Sequence, residues 1–482
     1  MNRTDRALAI AAAFAALLLA GCEVGPDYVR PGVSTPQSFQ VPQGWKVAEP
    51  HDADIPADWW RLFNDPKLGE LEGRVAESNQ TLAQQVAALR QARALVQSAQ
   101  ANLFPMLNLN AGSTRNKASA GAIGLAQGLI YDNYSLAVQA TWEPDLWGSV
   151  RRTIEADTAA MQASAGQVAA TRLSLQSQLA ADYFQLRADD AQKQILTDTV
   201  EAYRKTLALT QSRFEQGVAA QTDVLLAEGQ LRTTEAQLID VGVQRAQLEH
   251  AIAVLAGLPA SDFHIPESPL GSGVPAIPLT VPSALLERRP DVASAERSAA
   301  SASAQIGVAK AAFFPALSLS GATGFQNRAY NNLVSQPNSM WAFSPQILQP
   351  LFDAGLRAAA VDQAVAAYDQ SVANYREVVL EAFQNVEDNL AAASILSHEI
   401  EVQRAAVEAA RQTLVLTESQ YREGVVDYLN VLVAQTTLLA SRLTELALRS
   451  RQYVASVQLI AALGGGWDGS AGTQPDTRVS AR

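Results

Sequence analysis

Two hydrophobic periods share this chain and change places along it. Residues Tyr134-Ser135-Leu136-Ala137-Val138-Gln139-Ala140-Thr141-Trp142 alternate strictly, with Tyr, Leu, Val, Ala and Trp on one side and Ser, Ala, Gln and Thr on the other. Leu107 and Leu109 alternate with Asn108 and Asn110, and Leu317 and Leu319 with Ser318 and Ser320. Trp341 and Phe343 open a fourth segment that ends in Ile347-Leu348-Gln349-Pro350-Leu351-Phe352. Period-two segments of about 10 residues with aromatics near their ends are the pattern of transmembrane β-strands. The Gly/Ala- and Asn-rich stretches 116–130 and 326–338 read as exposed loops.

Elsewhere the period is helical. From Gly148 to Gly217 and from Gly355 to Gly424 there is no proline. Each stretch predicts one helix of about 70 residues, about 105 Å long at 1.5 Å per residue. Leu196, Val200, Tyr203, Leu207, Thr210 and Phe214 step by 4-3-4-3-4, and Val407, Ala410, Leu414, Thr417 and Tyr421 keep the same steps. Such a seam packs as a coiled coil. Its partner is a return helix of about 35 residues ending near Gly257 and again near Gly464. Helical runs at 67–103 and 283–313, each ending at a Phe-Pro, precede the alternating segments.

The chain is written twice. Arg213-Phe214-Glu215-Gln216-Gly217-Val218 recurs 207 positions later as Gln420-Tyr421-Arg422-Glu423-Gly424-Val425, and Val224-Leu225 returns as Val431-Leu432. Gly148 matches Gly355, Leu255-Ala256-Gly257 matches Ala462-Leu463-Gly464, and Phe104-Pro105 matches Phe314-Pro315 slightly out of step. The expected organisation is a first repeat at 67–258, a Pro-rich connector at 259–282 lying along the outside of the helices, a second repeat at 283–466 and a loose tail at 467–482. Four strands cannot close alone, because lipid tolerates no open sheet edge. The barrel is therefore shared between copies: two give eight strands, which side chains fill, and three give twelve, which leave a pore.

The start of the chain supplies the anchor. Arg3 and Arg6 precede an apolar run, Ala7 to Ala20, too short to span a bilayer but suited to a signal peptide over residues 1–21. Leu19-Ala20-Gly21-Cys22 resembles a bacterial lipobox, so Cys22, the single cysteine of the sequence, is expected to carry a covalent lipid. Residues 22–66 then form an extended N-terminal segment. Glu23 at the next position, in place of the Asp that signals inner-membrane retention, favours the outer membrane. Each buried acyl methylene adds about 0.8 kcal/mol to the tether.

Composition removes other classes. The formal net charge of -12 argues against nucleic acid. No later segment offers 18 unbroken apolar residues, which predicts no transmembrane helix. The four histidines are scattered without metal-ligand spacing, and no P-loop, dinucleotide fingerprint or hydrolase nucleophile motif occurs. Neither an enzyme nor a cofactor, beyond the lipid on Cys22, is expected.

The chain resembles the TolC-like outer membrane factors, more narrowly the lipoprotein (NodT-like) branch of RND-type efflux channels. The resemblance is carried by Cys22-Glu23-Val24-Gly25-Pro26-Asp27-Tyr28 with Arg30-Pro31, by Trp59-Trp60, Phe63 and Asp65-Pro66, by Leu286-Glu287-Arg288-Arg289-Pro290-Asp291-Val292, and by the two Gly-Val turns. It implies a homotrimer with a 12-stranded β-barrel in the outer membrane and a 12-helix α-barrel through the periplasm. A periplasmic adaptor and an inner-membrane pump are the implied partners, and the channel conducts passively. Two other readings stay open: an exit duct for type I protein secretion, and a non-conducting lipid-anchored coiled-coil spacer.

The resemblance also assigns sites. The turns Gly217-Val218-Ala219 and Gly424-Val425-Val426 are where such channels meet the adaptor. Relatives carry a Leu-Leu-Asp-Ala-Gln-like stretch past the turn, whereas this chain has Val431-Leu432-Val433-Ala434-Gln435, with Val433 in place of the acid. The periplasmic aperture is therefore expected to combine an apolar ring including Val433 with Asp427, Tyr421 and Arg422 tying neighbouring helices. Asp223 is the weaker candidate, since a first-turn acid also suits the helix dipole.

Overall fold

The computed structural model describes residues 23–33, 56–117, 119, 130–271, 273–275 and 288–467. Cys22, the residues around 121–129 between the first two strands, and the tail beyond Trp467 lie outside these, as does part of the connector. Among the described residues the α-helices and strands run α1 (Pro66–Ser78), α2 (Gln80–Ala101), β1 (Met106–Lys117), β2 (Ile130–Trp142), α3 (Ser149–Glu215), α4 (Gln221–Leu255), α5 (Pro290–Ala311), β3 (Ala316–Asn327), β4 (Ser339–Leu348), α6 (Leu356–Arg422) and α7 (Tyr428–Ala462). The chain divides into two compact units. The first gathers the described residues within 23–32, 88–164 and 294–375, the second those within 56–87, 165–293 and 376–467.

In the first unit the four strands form one antiparallel sheet in the order β1-β2-β3-β4. Register sorts the faces. Leu107 lies opposite Ala140, Leu109 opposite Val138, Leu136 opposite Phe325, and Trp341 and Phe343 opposite Thr323 and Gly321. Because side chains alternate along a strand, these apolar residues share one face. Asn108 opposite Gln139, Ser135 opposite Gln326, and Ser320 opposite Ser344 share the other. Leu107, Leu109, Trp341 and Phe343 are exposed in the single chain. Among the described residues β1 and β4 each pair on one side and leave the other edge unpaired.

In the second unit α3 packs with α4 through Val200, Tyr203 and Leu231, and α6 with α7 through Leu396, Ile400 and Leu448. Leu196, Val241 and Leu439 join the two hairpins. The predicted seam holds from Leu196 to Thr210, but Phe214 is exposed. It sits in the last turn of α3, where the chain is about to reverse. By length and composition α7 is apolar enough to cross a membrane. Part of its apolar surface is buried in the helical core, with Tyr428, Val431, Leu438, Leu446 and Tyr453 inside and Leu429 and Val433 exposed.

The duplication extends to backbone conformation. Gly148, Gly217 and Gly257 have φ of 78°, 74° and 73°, and their counterparts Gly355, Gly424 and Gly464 have 93°, 79° and 97°. At Gly257 and Gly464 close approach adds to the reason. A Cβ there would lie 2.4 Å from the Ser78 carbonyl oxygen and 2.1 Å from that of Arg288.

Two boundaries differ from expectation. The run 67–103 is two helices, because Asn79 takes an extended conformation. Its buried amide accepts from the Leu82 N–H at 2.9 Å and donates to the Leu255 carbonyl at 2.9 Å, so one side chain starts α2 and caps the end of α4. The second run, expected over 283–313, holds helix α5 from Pro290, a residue suited to a first helical turn, and its expected start at 283 lies outside the described residues. The fourth strand stops at Leu348 rather than Phe352, since Pro350 has no N–H for a ladder.

Candidate functional site

The two tips are built alike. At the first, the Val218 N–H donates to the Arg213 carbonyl at 2.8 Å and the Gly217 N–H to the Phe214 carbonyl at 2.9 Å. At the second, Val425 donates to Gln420 at 2.9 Å and Gly424 to Tyr421 at 3.0 Å. This is the Schellman arrangement, which needs a left-handed residue at the glycine position. It satisfies the last carbonyls of each long helix with main-chain donors, so the residue after the glycine is left facing outward. Val218 is 63% exposed and Val425 is 68% exposed. Ala219 donates to the Arg213 carbonyl at 3.2 Å. Val426 turns inward against Tyr421 and Tyr428.

The aperture candidates separate by role. Asp427 is the N-cap residue of α7, exposed, and makes no side-chain capping bond. Asp223 lies in the first turn of α4 and its carboxylate accepts the Ala220 N–H at 3.3 Å, half of a capping box. Val433 is exposed, while Val431 and Ala434 beside it are buried. Tyr421 is buried within its own chain, its hydroxyl 3.4 Å from Thr210 Oγ1. Its ring lies under the Arg213 guanidinium. Arg422 is exposed and pairs with Glu418 one turn back on its own helix. Of the two residues expected to tie helices, Tyr421 meets α3 through its side chain, whereas the Arg422 side chain pairs within α6 and only its carbonyl accepts from Arg213 of α3. The missing partner is Arg213, a residue whose helical position gave no sign of a cross-hairpin contact.

The family-like motifs do structural work. In the first unit, buried Arg152 holds Glu23 at 3.3 Å, Asp27 at 3.0 Å and Glu155 at 2.7 Å, which straps residues 23–33 to α3. Tyr28 donates to Glu296 at 2.8 Å, and Arg30 to the Tyr375 hydroxyl at 3.3 Å. In the second unit, Asp65 caps α1 and accepts the Tyr183 hydroxyl at 2.7 Å. Phe63 packs on Phe184 with centroids 4.8 Å apart. Arg289 pairs with Asp291 at 2.6 Å and donates to the Ala462 carbonyl at 3.2 Å, closing the end of α7 as Asn79 closes α4.

The connector is also tied down. Arg245 binds Asp190 at 2.7 Å, Glu249 at 3.0 Å and the Ile265 carbonyl at 2.6 Å, while Arg187 holds Asp190 at 3.0 Å and the Pro266 carbonyl at 2.7 Å. A short helical turn, Ala260–Asp262, interrupts the irregular path expected there. Glu72 stands apart: it is fully buried and neither carboxylate oxygen has a hydrogen-bond partner. Burial pushes its carboxyl up to about 9, against a weaker opposing pull from Arg172.

A polar and an apolar sheet face, long paired helices and outward-facing tips suit a membrane duct. Residues 72–258 and 281–465 each match the outer membrane efflux protein family. The toluene efflux pump outer membrane protein TtgF of Pseudomonas putida is 32% identical over 466 residues, covering 93% of this chain and 95% of that relative. The cation efflux system protein CusC of Escherichia coli is 30% identical over 456 residues, covering 94% and 97%. The solved outer-membrane channel OprN superposes with a TM-score of 0.87 at 29% identity, over 93% of this chain and 100% of that one. The chain belongs to the outer membrane efflux protein family and is an outer-membrane channel component of an efflux pump.

Proposed function

We propose that three copies of this chain close one twelve-stranded barrel in the outer membrane, continued through the periplasm by twelve helices, and conduct exported molecules passively. The observation that carries this reading is the four-stranded sheet with an apolar face, a polar face and two open edges. In lipid the edges must pair, and pairing β4 of one copy with β1 of the next satisfies both. Three copies leave a water-filled interior lined by the Asn108, Gln139, Ser320 and Ser344 face. The channel performs no chemistry, so energy comes from an inner-membrane pump of the RND type, joined by a periplasmic adaptor.

The adaptor docks at Gly217-Val218-Ala219 and Gly424-Val425-Val426, where exposed valines follow a rigid turn. The aperture near these tips is narrowed by an apolar ring including Val433 and made cation-preferring by Asp427, with Asp223 committed to capping. Cys22 carries the acyl anchor, and the strap at Arg152 begins one residue later. The relatives' names cover toluene and cations. A wide polar duct fits both classes, with selection made upstream at the pump. Native mass spectrometry of the full protein in detergent tests the assembly. Three copies, each bearing a diacylglycerol thioether and an amine-linked acyl chain on Cys22, is the expected result; two copies or an unmodified Cys22 contradicts it.

A further inference from the structure

Each repeat leaves its second strand through an apolar elbow that leads into a long helix, yet among the described residues only one elbow seats a large apolar side chain on a Phe-Pro of its own chain. After β2, the Trp147 ring stacks on Phe314 with centroids 4.9 Å apart and planes 25° from parallel. Its indole Nε1 donates to the Pro315 carbonyl at 2.7 Å. Phe314-Pro315 leads into β3, the strand that pairs with β2. The elbow of one strand thus seats on the Phe-Pro that opens its neighbour.

After β4 the elbow is Leu351-Phe352, and here nothing covers it: the two residues are 91% and 88% exposed. The duplicate of Phe314-Pro315 is Phe104-Pro105, which opens β1, and Phe104 is 71% exposed. The register places both bare patches on the same rim of the sheet. Met106 lies opposite Thr141, Trp142 opposite Leu319, and Ala316 opposite Leu348. They stand at opposite edges, with β2 and β3 between them, so one copy cannot join them. Pairing β4 of one copy with β1 of the next brings the two patches to one seam, as the pairing of β2 with β3 brings Trp147 to Phe314-Pro315. The apolar pair of this elbow stands two and three positions nearer its strand, since Gly148 matches Gly355 and Trp147 therefore matches Ala354.

We infer that Leu351 and Phe352 of each copy seat on Phe104-Pro105 of the next, an aromatic clasp at every copy-to-copy seam of the barrel rim. The inference rests on the shared-barrel reading. The elbow is held ready for its partner: Asp353 accepts from Arg357 Nε at 2.6 Å and from the Gly355 N–H at 3.1 Å, and Arg357 reaches the Pro350 carbonyl at 2.9 Å. A turn fixed this way keeps two large apolar side chains outward at little further entropic cost on docking. Offset aromatic contact then adds to the area buried.

Photocrosslinking in the full, assembled protein tests it. With p-benzoylphenylalanine at position 352 and a mixture of isotopically light and heavy copies, irradiation is expected to link position 352 to residues 103–107 of a differently labelled chain. Links only to lipid, or only within one chain, overturn the clasp. Phe352→Asp should lower the temperature at which the oligomer dissociates on semi-native gels, and Phe352→Leu should recover most of that loss. No change with the Asp variant also overturns it. Copy number by native mass spectrometry separates the two failures. Three copies without the crosslink refute the clasp alone, whereas any other count refutes the three-copy barrel with it.

Discussion

The Arg213 guanidinium of α3 lies 4.5 Å from the centroid of the Tyr421 ring of α6 and donates to the main-chain carbonyls of Tyr421 and Arg422. These carbonyls belong to the last turn of a long helix, where the turn itself supplies the Gly424 N–H to Tyr421 and Arg213 adds a second donor. A single side chain therefore caps one hairpin from the other, next to the turn read here as a docking tip.

Arg213→Ala should loosen that turn. Loss of a charge-assisted bond and a cation–π contact costs about 1–3 kcal/mol. Amides of residues 422–427 should exchange about tenfold faster or more, with the amides near Leu396 unchanged. Equal exchange at both places would show that Arg213 holds nothing.

Glycine replacements should divide into two grades. At Gly217 and Gly424 an added Cβ meets no atom closer than 3.8 Å, so alanine there costs about 1 kcal/mol of backbone strain alone. At Gly464 the same atom would collide with the Arg288 carbonyl. Thermal unfolding should show Gly464→Ala far more destabilised than Gly424→Ala; comparable losses would contradict the close approach.

Glu72 predicts a pH dependence with a definite sign. Its folded-state carboxyl is raised above its ordinary value, so the neutral form is the one the fold accommodates. Its contribution is fully present below the unfolded value near 4.5. It weakens on the order of 1 kcal/mol per pH unit as pH rises toward about 9, because only the unfolded chain ionises there. Glu72→Gln should therefore match the wild type at pH 4 and unfold at a higher temperature at pH 8. A constant difference at both pH values would contradict the assignment.

Arg152 makes a fourth prediction. Arg152→Gln removes the cation shared by Glu23, Asp27 and Glu155, and the strap at 23–33 should become accessible to limited proteolysis while the sheet stays intact. Persistent protection of that segment would mean that Tyr28 and Arg30 suffice.

The long helices, their return partners and the strands were legible because each repeats a short-range pattern many times, and the duplication doubled the signal. Glycines at 217 and 424 were legible as turns because a helix end with φ above zero leaves few other residues. Asn79 was not, since an Asn inside a helical run breaks it only when a distant carbonyl, here that of Leu255, rewards the break. Arg213 and Arg152 were missed for the same reason, since decisive partners such as Tyr421 and Asp27 lie far off in sequence, and Glu72 because nothing local distinguishes a buried carboxylate from a solvent-facing one. The elbow Leu351-Phe352 read as strand because its apolar residues continued the pattern past a proline that ends the ladder.

Single-channel recording of the purified full protein in planar bilayers tests the account most directly. A duct formed by three copies should give discrete, cation-preferring conductance steps, with Asp427→Asn lowering cation preference and Val433→Asp raising conductance and cation preference together. An inserted, trimeric protein that conducts nothing, in the wild type and in Val433→Asp alike, would contradict the shared-barrel channel.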